Sequence, residues 1–305
     1  MHSDKAAYVS TAPAWTVAKG LWVSLRPKQW IKNLFVFAPL VFDSKLFQPQ
    51  PLVNTLVGFA ALCAISSSVY LLNDCADRRA DQQHPKKRNR PIARGDVPVG
   101  VAIGAAIVLA LTALGVGFVV HVAFGLILAG YLAVTSAYTF KLKHVVLLDV
   151  FVLASGFVLR VAAGIPLVEA ERFSPWLYTC AGLLALLIGF GKRRAELVDL
   201  KGSSATRAIL AEYSLPLLDQ IIAIITGALI VSYTFYTFSA PQLPPNHTMM
   251  LSVPLVAYAL FRYLYLMHVK GMAGAPDELV LRDRPLQAAF LAWAGVVILV
   301  IYVLA

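Results

Sequence analysis

The chain has 305 residues, 59% of them hydrophobic, with a mean hydropathy of +0.73 and a formal net charge of +10 at pH 7. Such a composition excludes an ordinary soluble domain and points to several membrane spans. A basic balance of this size would also suit nucleic acid, and the placement of the basic residues, considered below, argues against that use.

The first fifteen residues, MHSDKAAYVSTAPAW, lack the continuous apolar core of a cleavable signal, so the spans themselves are expected to direct insertion and the chain to stay whole. Apolar runs predict nine spans, at roughly 31–48, 52–72, 99–119, 122–140, 147–164, 174–190, 216–238, 250–268 and 285–305. The first, WIKNLFVFAPLVF, carries Lys32 near its start and Pro39 inside, which fits either a kinked span or a re-entrant segment. Lys28 and Lys32, four apart, are expected on one helical face, where they either hold a lipid phosphate or anchor to anionic lipid.

After the second run comes NDCADRRAD, Asn73 to Asp81. Asn73, Asp77 and Asp81 recur every four residues and stack on one helix face, with Asp74 beside them. Carboxylates and an amide in a row are hard oxygen ligands, the kind Mg2+ takes while keeping waters and bridging substrate phosphates. Asn73, Asp74, Asp77 and Asp81 are therefore the candidate metal site, and the three aspartates the candidate catalytic residues. A solvated cluster paired with Arg78, Arg79 and the nearby lysines is the competing explanation. Of the cations that follow, Lys86, Lys87, Arg88, Arg90 and Arg94, we favour Lys86 and Arg90 for phosphate contact.

Tyr138 and Lys141 end the fourth run and Asp149 begins the fifth, so these three either line the polar end of a cavity or supply a plain Lys141–Asp149 ion pair. Arg160 lies eleven residues beyond Asp149, about 16 Å along a helix. An intramembrane arginine is expensive and by default functional; a structural partner or snorkelling to the outer interface explains it equally well. After the sixth run, GFGKRRAELVDL sets Lys192, Arg193 and Arg194 before Glu196 and Asp199. This is either a cationic wall for phosphates or a topology signal. His84 and His121 read as ordinary polar groups. Cys63, Cys75 and Cys180, odd in number and without metal-type spacing, read as packing residues.

Of the 26 lysines and arginines, all but Lys45, Arg160 and Arg172 fall before residue 33 or in the alternate segments 73–98, 141–144, 191–215 and 262–284. The positive-inside rule then puts the N-terminus in the cytoplasm and the C-terminus outside, in a multi-pass protein of the cell (inner) membrane, and no nucleic-acid role is needed. The loops 73–98 and 191–215 are long enough to be the working parts.

NDCADRRAD followed by HPKKRNRPIARG resembles the first aspartate-rich motif, NDxxDxxxD, of the UbiA superfamily of intramembrane prenyltransferases, matched at Asn73, Asp74, Asp77 and Asp81. The resemblance implies a single all-α domain over residues 1–305, a polytopic bundle of about nine transmembrane helices. They would surround a cavity open to the cytoplasmic side and to lipid, with Mg2+, or Mn2+ in its place, at the cytoplasmic end.

Typical members that prenylate aromatic acids carry a second aspartate-rich motif after the sixth span, and the cationic GFGKRRAELVDL departs from it. That departure, with LRPKQWIKN at 25–33 and FKLKHVVLLDVFVLASGFVLRVAAG at 140–164, resembles the decaprenyl-phosphate phosphoribosyltransferase branch. The branch moves 5-phosphoribose from phosphoribosyl pyrophosphate (PRPP) to a polyprenyl phosphate. On this reading Lys28, Lys32, Asn73, Lys86, Arg90, Tyr138, Lys141, Lys192, Arg193, Arg194 and Glu196 contact substrate.

Two alternatives stay open. One is prenyl transfer from a prenyl diphosphate to an aromatic or other small acceptor, with Glu196 and Asp199 as the second acidic wall. The other is ion or phosphate transport, against which the strong charges gather at one membrane face. Expected partners are PRPP, polyprenyl phosphate and membrane lipids, with a homo-oligomer left open.

Overall fold

The computed structural model describes residues 13–85, 87–169, 174–199, 208–241, 243–271 and 282–304. Lys86 lies outside them. Among the described residues all regular structure is helical. The chain opens with α1 (Ala14–Ser24), a 3-10 helix (Pro27–Phe37) and α2 (Ala38–Phe42), followed by α3 (Pro49–Ala76). The short α4 (Arg78–Gln83) and α5 (Pro91–Arg94) lead to α6 (Val99–Val120), α7 (Val122–Phe140), α8 (Leu148–Val168) and α9 (Pro175–Asp199). The bundle is completed by α10 (Leu215–Ser239), α11 (Val253–His268) and α12 (Arg284–Tyr302).

Eight helices are long and apolar enough to cross a membrane: α3, α6 to α10, α11 with the 3-10 turn before it, and α12. Prolines at the first turn of α3, α10, α11 and α12 set where these helices begin, because a first-turn N–H has no intrahelical partner to lose. Outward faces stay apolar: Val108, Leu111 and Val119 on α6 are exposed, as hydrocarbon solvent allows. Helix α8 joins two packed clusters. Its Val150 belongs to the one built with α9 to α12, and its Ala163 and Leu167 to the one built with α3, α6 and α7.

The first expected span is built differently from the rest. Eleven residues of 3-10 helix rise about 22 Å and the five of α2 about 7 Å more, together close to the thickness of a bilayer core. At one end Arg26 meets Asp74 on the last turn of α3. At the other Lys45 Nζ donates to the carbonyls of Val168 (2.8 Å) and Glu169 (3.1 Å), past the far end of α8. The segment thus runs the height of the bundle without turning back.

A 3-10 helix repeats every three residues, and the side chains obey that period. Trp30, Asn33 and Val36 point inward: Trp30 Nε1 donates to Ser67 Oγ (3.0 Å), Asn33 Nδ2 to Ser66 Oγ (3.3 Å) and Cys63 Sγ (3.2 Å), and Val36 is fully buried. Lys28, Ile31 and Leu34 point outward. The expected shared face of Lys28 and Lys32 is therefore corrected: four residues apart on a 3-10 helix is about 120° of rotation, and Lys32 is half-buried where Lys28 is exposed. Close packing is possible because α8 offers Gly164, where a Cβ would lie 2.2 Å from the Val36 carbonyl oxygen.

Arg160 faces the bundle interior and is 6% exposed. Its Nε donates to Asn33 Oδ1 (2.8 Å), Nη1 to the Gly156 carbonyl (2.8 Å) and Nη2 to Tyr131 Oη (2.6 Å), and the guanidinium lies over the Tyr131 and Phe157 rings at 4.9 and 5.3 Å. Dipoles and ring faces thus solvate a cation at mid-depth, tying the 3-10 helix to α7 and α8. Arg160→Leu should cost about 1–3 kcal/mol by orphaning buried Asn33 Oδ1. Thermal unfolding in detergent tests this, and the double variant with Asn33→Leu should recover part of the loss.

Candidate active site

Arg90 brings Asp74 and Asp81 together, with Asp77 between them in the chain, although α3 ends at Ala76 and α4 restarts at Arg78. The turn survives the break: Asp77 N–H donates to the Asn73 carbonyl (2.9 Å) and Asp81 N–H to that of Asp77 (2.8 Å). Asp74 and Asp81 are 3% and 2% exposed, so their carboxylates need partners.

Those partners are arginines. Arg26 Nη2 sits 2.5 Å from Asp74 Oδ1, and Arg90 Nη1 bridges Asp74 Oδ1 (3.0 Å) and Asp81 Oδ2 (2.7 Å). Arg90 returns to the aspartates because the loop folds back over α4: Lys87 N–H donates to His84 Nδ1 (3.2 Å), and Gln82 Nε2 to the Ala93 carbonyl (3.0 Å). Arg26 holds a left-handed backbone (φ 55°, ψ 59°) just before Pro27, with its guanidinium 5.0 Å from the Tyr70 ring centroid. A non-glycine residue held there implies that its surroundings determine it. Arg26 is not among the residues expected from sequence; an arginine directly preceding a proline at the start of an apolar run is the signal for it.

Asp77 pairs with Lys143 at 2.7 Å, in the 3-10 turn Leu142–His144 between α7 and α8. The expected residues are its neighbours: Lys141 is exposed at the end of α7, and Tyr138 is half-buried on its last turn. The Lys141–Asp149 ion pair gives way to another arrangement. Asp149, fully buried at the start of α8, accepts from Arg193 Nε on α9 (2.7 Å) and from Tyr213 Oη (2.8 Å). Tyr213 Oη also accepts from the N–H of Leu147 (2.8 Å), a residue held at a positive φ of 64°. Burial pushes the Tyr213 phenol up to about 12, so it stays a donor throughout the working pH range.

The contiguous cationic wall does not form as one surface. Successive helical residues point about 100° apart, and the three cations fan out. Arg193 is buried, with Nη1 on Glu196 Oε2 at 2.6 Å as well as Nε on Asp149. Arg194 turns to α10 and α11, with Nε on Asp219 Oδ1 at 2.5 Å and Nη1 on the Met267 carbonyl at 3.5 Å. Lys192 is exposed, and Asp199 is the last residue of α9.

Among the described residues no three His, Cys, Asp or Glu side chains gather as a ready metal cage. Yet one cationic nitrogen, Arg90 Nη1, already touches oxygens of two buried carboxylates. A divalent ion at that point would meet two hard oxygen donors, with Asn73 and Asp77 nearby in the same stretch of chain. Such a donor set fits Mg2+, which completes its shell with water and phosphate.

Residues 34–275 match the model of the UbiA prenyltransferase family. Decaprenyl-phosphate phosphoribosyltransferase of Corynebacterium glutamicum is 33% identical over 298 residues, 96% of this chain and 90% of that one. Its namesake in Mycolicibacterium smegmatis is 33% identical over 318 residues, 99% and 98% of the two chains. Among solved structures, a UbiA homologue from Archaeoglobus fulgidus bound to DMAPP and Mg2+ superposes with a TM-score of 0.70 at 17% identity, over 93% of this chain and 99% of that one. With its single aspartate motif set on helices α3 and α4 of an all-helical membrane bundle, the chain belongs to the UbiA prenyltransferase family.

Proposed function

We propose that this protein transfers 5-phosphoribose from PRPP to a polyprenyl (decaprenyl) phosphate, releasing pyrophosphate, in a Mg2+-dependent reaction at the Asp74 end of the bundle. That end lies at the cytoplasmic face, and the 3-10 crossing makes a ninth span. The observation that carries the reading is the asymmetry of the site. On one side stand three aspartates, paired with Arg26, Arg90 and Lys143, and on the other Asp149 and Glu196 share the single buried Arg193. The second side thus carries two carboxylates around a guanidinium in place of a second aspartate-rich motif. A donor with phosphate at both ends instead suits acid on one side and guanidinium groups around it. The near full-length relatives named for this activity support the same choice.

Asp74, Asp81 and Asp77, with Asn73, would hold the ion, which when bound neutralises charge on the departing pyrophosphate. Arg90 and Arg26, beside those carboxylates, would donate to phosphate oxygens of a donor held there, and buried surroundings strengthen such bonds. An acceptor phosphate oxygen attacks the ribose anomeric carbon as the bond to pyrophosphate breaks. A phosphate monoester is already ionised near neutral pH, its second pKa being about 6, so no general base is required.

Purified protein with Mg2+, polyprenyl phosphate and radiolabelled PRPP should move label into the organic phase, and EDTA should stop it. Absence of that label, together with transfer from a prenyl diphosphate to an aromatic acid, would replace this reading by prenyl transfer.

A further inference from the structure

A groove of about 490 Å³ runs between α7 and α8, open to the lipid side and lined by Ala133, Ala137, Leu142, Phe151, Val152 and Ser155. Ala133 and Ala137, one helical turn apart, leave the slot between the helices, and Ser155 brings its one hydroxyl. The volume lies within the range of ligand clefts. None of these residues belongs to the aspartate site, yet the groove ends beside it. Leu142 is the chain neighbour of both Lys141 and Lys143, and Lys143 Nζ is 2.7 Å from Asp77 Oδ1.

We propose that this groove holds the head-proximal isoprenyl chain of the acceptor lipid, with its phosphate monoester at Lys143 and Lys141; the inference rests on the acceptor named above. In a bilayer an apolar chain gains no hydrophobic free energy by leaving lipid for protein, so the groove selects by shape and close contact. The charged head supplies the bias. A monoester carries more negative charge than the phosphodiester of a common phospholipid, and two lysines at the interface favour it. A head group held at Lys143 is delivered next to Asp77, whereas Arg26 and Arg90 pair with Asp74 and Asp81. Donor and acceptor then reach the centre from different directions.

The test is photolabelling of the full-length protein in nanodiscs with a diazirine-bearing polyprenyl monophosphate, read by peptide mass spectrometry, with and without competitors. Label should map to residues 133–155 and be displaced by unlabelled polyprenyl phosphate but not by phosphatidylglycerol. Ala137→Phe, filling the groove from an exposed position, should cut labelling and raise the KM for the lipid by at least about tenfold, with the KM for PRPP unchanged. Ala133→Leu is the milder second variant. Label elsewhere, or equal competition by phosphatidylglycerol, overturns the proposal, the latter by showing an ordinary lipid groove. Labelling needs no turnover: a labelled groove without ribose transfer would leave the lipid site standing and remove the donor assignment.

Discussion

Asp77→Asn is expected to lower Mg2+-dependent turnover by about 10²–10³-fold, the scale of losing one preorganised electrostatic contact in an active site. The fold should survive. Asp77 and Lys143 are 29% and 21% exposed, so their pair contributes no more than about 1 kcal/mol. Loss of such a pair moves the melting point by about 2–4 °C at most. Asp74→Asn is a poorer probe, because it takes a buried carboxylate from two arginines at once and confounds activity with stability. A second readout is free of turnover: Mg2+ should raise the melting point of the parent, since a ligand binding only the folded state stabilises it. The increment should shrink in Asp77→Asn and Asp81→Asn. Unchanged activity and an unchanged Mg2+ increment in both variants would remove the metal assignment.

The aspartate face was legible because its residues lie within nine positions of one another, where helical period alone decides who shares a face. Their partners were not. Arg26 reaches Asp74 across 48 positions and Lys143 reaches Asp77 across 66, and local spacing carries no information at that range. Lys141 and Lys143 are equally plausible from sequence. The choice between them depends on where α7 stops, and the 3-10 turn after it resets the direction of every side chain that follows.

The shared face expected of Lys28 and Lys32 failed for a related reason. Hydropathy recognises an apolar stretch whatever its winding, so it located this one but assumed a period of 3.6. The inward groups Trp30, Asn33 and Val36 follow a period of three, and their partners on α3 and α8 come from distant sequence. Contiguity in KRRAE likewise suggests a patch, whereas a helix distributes neighbouring residues around its axis. Only the fold reveals that Arg193 has turned inward.

That inward turn changes what Arg193 should do. Arg193→Ala is expected to destabilise the protein by about 3–5 kcal/mol, because it leaves the fully buried Asp149 without its ion pair. The same loss releases Glu196 and loosens the junction where Leu147 is held at positive φ through Tyr213. Thermal unfolding in detergent should show the drop before any kinetic constant is measured. A buried pair of similar volume without charge is often tolerated, so Arg193→Met combined with Asp149→Leu should recover most of the stability. If Arg193 instead contacted the donor directly, Arg193→Ala would melt like the parent and raise the KM for PRPP, and the double variant would bring no recovery. The observed geometry favours the first outcome: Nε and Nη1 each face a carboxylate oxygen at 2.7 and 2.6 Å, and the side chain is 4% exposed. Arg193 is therefore expected to brace the α7–α8 junction through Asp149, Tyr213 and Leu147, the junction whose 3-10 turn carries Lys143 to Asp77.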